Sequence, residues 1–360
     1  MSDVDVRAPQ VASVAVRFPA HRYQQEDIVA EFAQLCLPAP HPSRDVFARF
    51  GRNTGVRTRH LALPLDSYAG LTGFTQANDH FIEIALELGE AALRAALDEA
   101  GVDASEVDLI ATTSVTGLAV PSLEARLAQR VGLRPDVKRL PLFGLGCVAG
   151  AAGVARLHDY LRAWPGHTAV LLAVELCSLT LQQEDTTAAN LVATSLFGDG
   201  AAAVVLVGGD RPVPGPGRPR VLATRSRLYP DTEQVMGWRI GSTGFRIVLS
   251  TEVAPIAERY LGDDVRGFLA EFDLVPGDVG TWVCHPGGPK VIDTVERVLG
   301  LPAVALEPTR RSLSARGNLS SVSVLDVLHA GVADPPPPGT PGLMIAMGPG
   351  FCSELVLLEW

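Results

Sequence analysis

The alternation of apolar and polar positions predicts two similar α/β units, one in each half of the chain. In the first unit, apolar residues recur at helical spacing over 81–101, a buried strand follows at 107–113, and a second helix runs to about residue 131. In the second unit, a helix leads into a strand at 281–284, a loop, and a helix at 289–299. Both units therefore have the order helix, strand, loop, helix.

The remaining apolar runs extend this internal similarity. Residues 168–177 predict a central strand in the first half, and residues 343–347 and 352–358 predict strands at comparable places in the second half. A repeated order of elements indicates an internally duplicated α/β fold.

Two segments are predicted to be surface connections. Residues 208–219 and 333–341 contain too much proline and glycine for a helix or a central strand. The first segment is expected to separate the two halves of the fold. We therefore predict an N-terminal domain at 1–215 and a C-terminal domain at 216–360.

Composition narrows the class of protein. Hydrophobic residues make up 47% of the chain, yet no apolar stretch reaches the roughly 18 residues that span a bilayer, so we expect a globular protein with no membrane span. The formal net charge of -10 argues against nucleic acid as a partner. Residues 1–10 are acidic and polar and do not resemble a secretory signal, so a cytoplasmic location is expected.

The cysteines do not indicate a metal or redox centre. They are scattered and form no CxxC pair, so neither a disulfide framework nor a zinc site is predicted. No metal or redox cofactor is expected, and each cysteine is treated as a single thiol. The five are Cys36, Cys147, Cys177, Cys284 and Cys352.

The strongest candidate for chemistry is Cys147. Glycines precede it and an apolar helix running to about Leu161 follows it, so the sulfur is predicted to lie at a helix N-terminus. There, backbone N–H groups and the helix dipole favour an anion and are expected to lower the thiol pKa. For a lone cysteine, a buried packing contact is an equally good interpretation.

Two further residues stand in contexts that suit partners of a nucleophilic thiol. His285 opens the glycine-rich loop after the strand at 281–284, where α/β sheets place reactive groups. Asn318 introduces an apolar helix, and it either caps that helix or donates an amide N–H to an oxyanion or enolate. Residue type alone favours capping.

Five motifs along the chain favour catalytic roles for Cys147 and Asn318 over a packing contact and a helix cap. They are GCVAGA around Cys147, LFGDGAAAVV at 196–205, HPGGPK from His285, GNLSS from Gly317 and AMGPGFCSE from Ala346. Over nearly the whole chain, the sequence resembles the type III polyketide synthases, the chalcone and stilbene synthase superfamily. HPGGPK and the glycine-proline loop at 348–350 distinguish it from the ketoacyl synthase III relatives, which share a Cys, His, Asn triad.

The resemblance implies a homodimer of the duplicated, five-layered αβαβα thiolase-like fold. It implies that Cys147 carries the starter and the growing chain as a thioester. His285 would pair with Cys147 as imidazolium and, with Asn318, hold the thioester carbonyl during malonyl decarboxylation. The implied substrates are an acyl starter on coenzyme A or an acyl carrier protein, and malonyl-CoA or methylmalonyl-CoA as extender.

The same resemblance implies a set of residues around the substrate. Phe197 matches the gatekeeping aromatic between the coenzyme A tunnel and the cavity, and Ile247 stands where the family has a second phenylalanine. The other substrate-binding positions are Val115, Val120, Cys177, Thr180, Ser320, Gly348, Pro349 and Gly350.

Basic residues near 47–53 are implied to bind the phosphate groups of coenzyme A. Arg49 matches one of the family's basic positions. The other two fall at Val46 and Asn53, so Arg44 or Arg52 is expected to compensate. Lys290 is a further candidate for the same role. The alternative is that these basic residues form a solvated face.

The product depends on the size of the cavity and on how the ring closes. The mostly small lining residues look most like those of bacterial alkylresorcinol and alkylpyrone synthases, so we predict a long-chain acyl starter closed to a resorcinol or pyrone. Val115 replaces the cysteine of bacterial tetrahydroxynaphthalene synthases, so synthesis from malonyl-CoA alone is the second prediction. A ketoacyl synthase III-like enzyme that stops after one condensation is the third. A non-enzymatic interaction protein is disfavoured because all three triad residues remain.

Overall fold

The computed structural model describes residues 8–213 and 215–360. Residues 1–7, on which most of the argument about a secretory signal rests, lie outside the described residues, as does residue 214 beside the predicted domain boundary. Within the described ranges, no helix is both long and apolar enough to cross a membrane.

Strands and helices alternate through both halves of the chain. The strands are β1 Gln10–Arg17, β2 His21–Gln24, β3 Thr58–Leu61, β4 Leu109–Thr113, β5 Lys138–Leu142, β6 Thr168–Leu176, β7 Asp199–Val207, β8 Arg220–Leu228, β9 Met236–Gly241, β10 Gly244–Leu249, β11 Thr281–Cys284, β12 Pro341–Gly348 and β13 Cys352–Glu359. The helices are α1 Gln25–Cys36, α2 Arg44–Asn53, α3 Phe74–Ala100, α4 Leu123–Val131, α5 Ala149–Ala163, α6 Ala188–Leu196, α7 Val253–Ala270, α8 Pro289–Leu299, α9 Glu307–Arg316 and α10 Ser321–Ala333.

The large sheet has the order β11-β12-β13-β8-β1-β7-β6-β4-β5. β1 and β8 pair at a single position, Gln10 with Arg220, so the sheet consists of two halves joined by a narrow contact. Outward from this junction, β1-β7-β6-β4 and β8-β13-β12-β11 have the same relative directions, with two antiparallel pairs followed by a parallel one. This correspondence confirms the predicted internal duplication.

Five layers follow from the helices that cover the two half-sheets. α5 and α10 contact strands of both halves and lie between them. α3 packs on the outer face of the first half-sheet, and residues of α7 and α8 share an apolar core with the second. The order is therefore αβαβα, and the predicted fold class is confirmed.

The central helices approach each other closely because α5 begins with small residues. A side chain at Gly150 would place its Cβ 2.3 Å from the carbonyl oxygen of Ser321 at the start of α10. Only glycine allows this approach. The glycine-rich sequence after Cys147 therefore brings the start of α5 against the start of α10, near Asn318.

Candidate active site

The structure brings Cys147, His285 and Asn318 to one cavity of about 420 Å³. Cys147 lies in a short 3-10 turn immediately before α5, His285 follows the end of β11, and Asn318 lies between α9 and α10. All three side chains are buried. Segments far apart in the sequence therefore place a thiol, an imidazole and an amide around the same cavity.

The turn that carries Cys147 is held by the loop between β12 and β13. Gly146 has a φ of 57°, and a Cβ there would lie 2.7 Å from Cδ of Pro349. A Cβ at Gly348 would lie 2.7 Å from the backbone nitrogen of Val148. Pro349 lines the cavity, whereas Gly348 packs against the turn that carries Cys147 and Gly350 packs against Leu228. Of the three loop residues predicted to bind substrate, Pro349 therefore lines the cavity, whereas Gly348 and Gly350 pack on protein and are not part of its lining.

The thiol of Cys147 is buried. It donates a hydrogen bond to Oγ of Ser320 at 3.7 Å, and burial raises its pKa to about 12. The sequence predicted a lowered pKa from the helix N-terminus. In the structure, the loss of water around the sulfur outweighs that effect, so the resting group is a thiol.

His285 is also neutral in the resting site. Its backbone N–H donates to the carbonyl oxygen of Ile345, and its Nδ1 has no hydrogen-bond partner within the described part of the chain. Burial lowers the pKa of His285 to about 4. Either charge alone is costly in such a site. Transfer of the proton from Cys147 to His285 forms both charges together and leaves the net charge of the pair unchanged.

Asn318 does not cap the helix that follows it. The residue at the N-cap of α10 is Ser320, and the side-chain oxygen of Asn318 accepts a hydrogen bond from the backbone N–H of Ser320 at 2.8 Å. Its amide nitrogen donates a long hydrogen bond of 3.4 Å to the carbonyl oxygen of Gly287. The oxygen is therefore held in place while the amide N–H group remains a weakly engaged donor at the cavity wall.

The protonation of His285 is expected to appear in the pH dependence of stability. An unfolded histidine has a pKa of about 6.5, whereas burial lowers the pKa of His285 to about 4. Because the unfolded state takes up the proton first, wild type loses stability relative to His285→Gln as the pH falls through this interval. We expect a relative loss of about 3 kcal/mol in unfolding free energy between pH 7 and pH 4, measured by chemical denaturation. A difference between the two proteins that does not vary with pH would contradict this expectation.

Sequence reasoning missed a buried carboxylate near Cys147. Glu175 is fully buried and accepts hydrogen bonds from Oγ of Ser321 at 2.6 Å, Oγ1 of Thr116 at 3.0 Å and the backbone N–H of Val115 at 3.1 Å. Burial raises its pKa. The signal was present in the sequence, because Glu175 is the one charged residue in the apolar run at 168–177.

Most of the predicted cavity positions lie on the cavity wall. The lining includes Val115, Cys177, Phe197, Ile247 and Ser320. Two positions differ. Val120 is 94% exposed and does not line the cavity of its own chain. Thr180 lies one layer further out, where its hydroxyl donates to the carbonyl oxygen of Cys177 at 2.7 Å; it lines a smaller chamber beside the main cavity.

The predicted basic residues divide into two groups. Lys290 lines the cavity and is exposed, and Phe50 and Asn53 on α2 line the same mouth. Arg49 and Arg52, on the same helix, are exposed beside them. Arg44 differs, because its Nη1 donates to the carbonyl oxygens of Ala33 at 3.3 Å and Leu37 at 2.7 Å. Its guanidinium group therefore holds the end of α1.

Comparisons with known proteins agree with this arrangement. The family model described as Chalcone and stilbene synthases, N-terminal domain, matches residues 7–211, and that described as Chalcone and stilbene synthases, C-terminal domain, matches residues 221–359. The chain is 56% identical to a 1,3,6,8-tetrahydroxynaphthalene synthase of Streptomyces peucetius subsp. caesius, over 98% of this chain and 94% of that protein. It is 35% identical to a putative chalcone synthase of Bacillus subtilis (strain 168), over 97% of this chain and 98% of that protein.

A solved structure is similar over almost the same length. The crystal structure of 1,3,6,8-tetrahydroxynaphthalene synthase from Streptomyces coelicolor A3(2) superposes with a TM-score of 0.92 at 31% identity, covering 98% of this chain and 99% of that chain. The fold, the cavity and these matches define a Claisen-type condensing enzyme that transfers acyl groups. More narrowly, the chain belongs to the chalcone and stilbene synthase family and is a type III polyketide synthase. The resemblance drawn from the five motifs is confirmed.

Proposed function

We propose that this enzyme makes 1,3,6,8-tetrahydroxynaphthalene from malonyl-CoA alone. The 56% identity to a synthase of that name over nearly the whole of both chains carries the proposal. Synthases of the same name from Streptomyces griseus and Streptomyces coelicolor are 33% identical. These relatives favour the second of the predicted products over the alkylresorcinol or alkylpyrone.

The size of the cavity supports a compact aromatic product. A naphthalene ring has ten carbons, and each malonyl unit that loses carbon dioxide contributes two, so five units are sufficient and no second starter is needed. The cavity of about 420 Å³ lies in the lower part of the range of about 300–1,000 Å³ for small-molecule sites. A folded ten-carbon intermediate suits this space better than a long alkyl chain.

We propose that Cys147, His285 and Asn318 perform the condensation. His285 accepts the thiol proton while the sulfur of Cys147 attacks the thioester carbonyl of the first malonyl-CoA, and the coenzyme A thiolate leaves. A second malonyl-CoA then loses carbon dioxide, and its C–C bonding electrons form an enolate. N–H groups of His285 and Asn318 stabilise the enolate oxygen. The enolate carbon attacks the acyl-Cys147 carbonyl, which forms the new C–C bond and releases the thiolate.

Product analysis tests the proposed function directly. Purified enzyme is supplied with malonyl-CoA alone, and in parallel with acyl-CoAs of two to about twenty carbons together with malonyl-CoA. We expect tetrahydroxynaphthalene from malonyl-CoA alone by mass spectrometry. If malonyl-CoA alone gave nothing and long-chain acyl-CoAs gave alkylpyrones or alkylresorcinols, the proposal would be wrong and the first predicted product would be correct.

The basic residues at the mouth are proposed to bind coenzyme A. Loss of one phosphate contact is worth roughly 1.4 kcal/mol, so Arg49→Ala and Lys290→Ala are each expected to raise KM for malonyl-CoA about tenfold with kcat nearly unchanged. Arg44→Ala is the matched control, because Arg44 holds α1; we expect a lower Tm and an unchanged KM. Steady-state kinetics at two salt concentrations measures these effects. A fall in kcat at constant KM would contradict a role in coenzyme A binding.

We propose a cytoplasmic homodimer that needs no cofactor beyond its thioester substrates. Two observations support a dimer. The strand β5 lies at the edge of the sheet, and Phe143, which follows it, is half exposed. Val120 is also exposed, and it precedes α4, the helix that packs on β5. An edge strand with apolar neighbours is suited to pair with another copy. Light scattering that gave a monomer mass would contradict the dimer, and loss of activity after dialysis against a chelator would contradict the absence of a metal.

A further inference from the structure

The backbone turns sharply between Asn318 and α10. The backbone N–H of Val322 donates to the carbonyl oxygen of Leu319 at 3.1 Å, which closes a four-residue turn. Ser320 is the first central residue of this turn, with a φ of 51° and a ψ of -126°. These are the angles of a type II′ turn, in which glycine usually takes that position. A serine there is strained, and such strain persists only where the surrounding structure holds it.

A buried carboxylate on β6 holds this turn. Oε1 of Glu175 accepts a hydrogen bond from Oγ of Ser321 at 2.6 Å, and the hydroxyl of Ser320 also hydrogen-bonds to the carboxylate. Its Oε2 accepts from Oγ1 of Thr116 at 3.0 Å and from the backbone N–H of Val115 at 3.1 Å. The carboxylate therefore joins the strained turn to the end of β6 and to the loop after β4.

Glu175 acts on the active site only through this turn. Its side chain is fully buried and does not line the cavity. The backbone N–H of Ser320 donates to Oδ1 of Asn318 at 2.8 Å, and the hydroxyl of Ser320 accepts from the thiol of Cys147 at 3.7 Å. The position of Ser320 therefore fixes both the amide of Asn318 and the hydrogen bond of the thiol.

We propose that Glu175 is a positioning residue for decarboxylation, which holds the strained turn at Ser320 so that the amide N–H of Asn318 reaches the enolate oxygen. This inference rests on the proposed function, because Asn318 is the enolate donor proposed there. A carboxylate suits this place, since hydrogen bonds to a charged acceptor are stronger than those to a neutral one. Without this hold, Ser320 relaxes to a negative φ and moves the N–H group that fixes Asn318.

Two substitutions weaken the hold without touching the cavity wall. Ser321→Ala removes the hydrogen bond of Ser321 to Glu175, and Glu175→Gln replaces the charged acceptor by an amide. Carbon dioxide release from malonyl-CoA is measured in a Cys147→Ala background, so that condensation does not contribute. We expect each variant to lower kcat for this release about tenfold with KM nearly unchanged, because a displaced donor affects the transition state more than substrate binding.

Ser312→Ala and Glu124→Gln are the matched controls. Oγ of Ser312 also donates to a carboxylate at 2.6 Å, that of Asp326 further along α10. Glu124, on α4, is another fully buried carboxylate and accepts from Oγ1 of Thr112 at 2.7 Å. Neither Ser312 nor Glu124 lines the cavity, so both substitutions are expected to leave kcat unchanged.

The substitution Ser320→Gly separates positioning from a general loss of packing. Glycine adopts a positive φ without strain. Ser320→Gly added to Ser321→Ala or to Glu175→Gln is therefore expected to restore kcat to within about threefold of the Cys147→Ala parent. An equal loss in either control, an unchanged kcat in Ser321→Ala, or no recovery with Ser320→Gly would overturn the proposal. If Glu175→Gln did not fold, Ser321→Ala would decide.

A crystal structure of Ser321→Ala provides a readout that does not depend on activity. We expect a negative φ at Ser320 and a displaced amide of Asn318. A Cys147→Ala parent that released no carbon dioxide would contradict the decarboxylating role of Asn318, and the crystal structure would then decide the role of Glu175. An unchanged turn in that structure would show that Glu175 does not hold it.

Discussion

Replacement of Cys147 by alanine is expected to remove polyketide products completely, by at least about 1,000-fold. Without the sulfur there is no acyl-enzyme, so the enolate has no electrophile held beside it. Mass spectrometry of products from malonyl-CoA measures the loss, and intact-protein mass spectrometry shows whether an acyl group is bound. Slow release of carbon dioxide from malonyl-CoA is expected to continue, because His285 and Asn318 remain.

The matched control is Cys177→Ala. Cys177 is also buried, and it lines the same cavity, but it begins only the short 3-10 helix Cys177–Thr180 and does not precede a long glycine-rich α-helix as Cys147 does. This variant is expected to keep its acyl-enzyme and most of its turnover. Product formation by Cys147→Ala, or complete loss in Cys177→Ala together with loss of the acyl-enzyme, would refute the assignment of the nucleophile.

Substitution of Asn318 by aspartate is expected to slow decarboxylation of malonyl-CoA by about 100-fold to 1,000-fold. The change keeps the shape of the side chain but replaces the amide donor with an oxygen that repels the enolate. The reaction is followed as carbon dioxide release in the Cys147→Ala background, so that condensation does not contribute. His285→Ala is expected to give a similar loss through its missing N–H group.

Ser320→Ala serves as the control for Asn318. It removes the hydroxyl that accepts from the thiol of Cys147 and leaves the backbone N–H that holds Asn318 in place. Decarboxylation in this variant should stay near that of the Cys147→Ala parent. If Asn318→Asp and Ser320→Ala slowed carbon dioxide release equally, a general disturbance of the α10 N-terminus would explain both, and the donor role would be wrong.

Local patterns were sufficient for most of the fold. The predicted helix at 289–299 and strand at 281–284 have the observed bounds, because periodicity and the flanking glycines and prolines are local properties of the chain. The helix predicted from residue 81 begins earlier, at Phe74, since its first turns are polar and lack a clear apolar stripe.

The candidate site was predictable in its residue types but not in its chemistry. Motifs identified Cys147, His285 and Asn318, yet the pKa predicted for Cys147 had the wrong direction because burial, not the helix terminus, dominates. Val120 was placed on the cavity wall, although it faces outward in its own chain. Both differences concern solvent exposure, which depends on packing between distant segments.

The sequence by itself determined the family, the order of helices and strands, the internal duplication and the identity of the three candidate catalytic residues. These follow from local periodicity and from motifs whose residue types are chemically specific. Only the tertiary structure decided which polar groups are left without partners. Arg59 is an example, because its hydrogen bonds join β3 to α1 and to the end of α6. Long-range packing buries its guanidinium group, and within the described residues Nη2 is left without a hydrogen-bond partner.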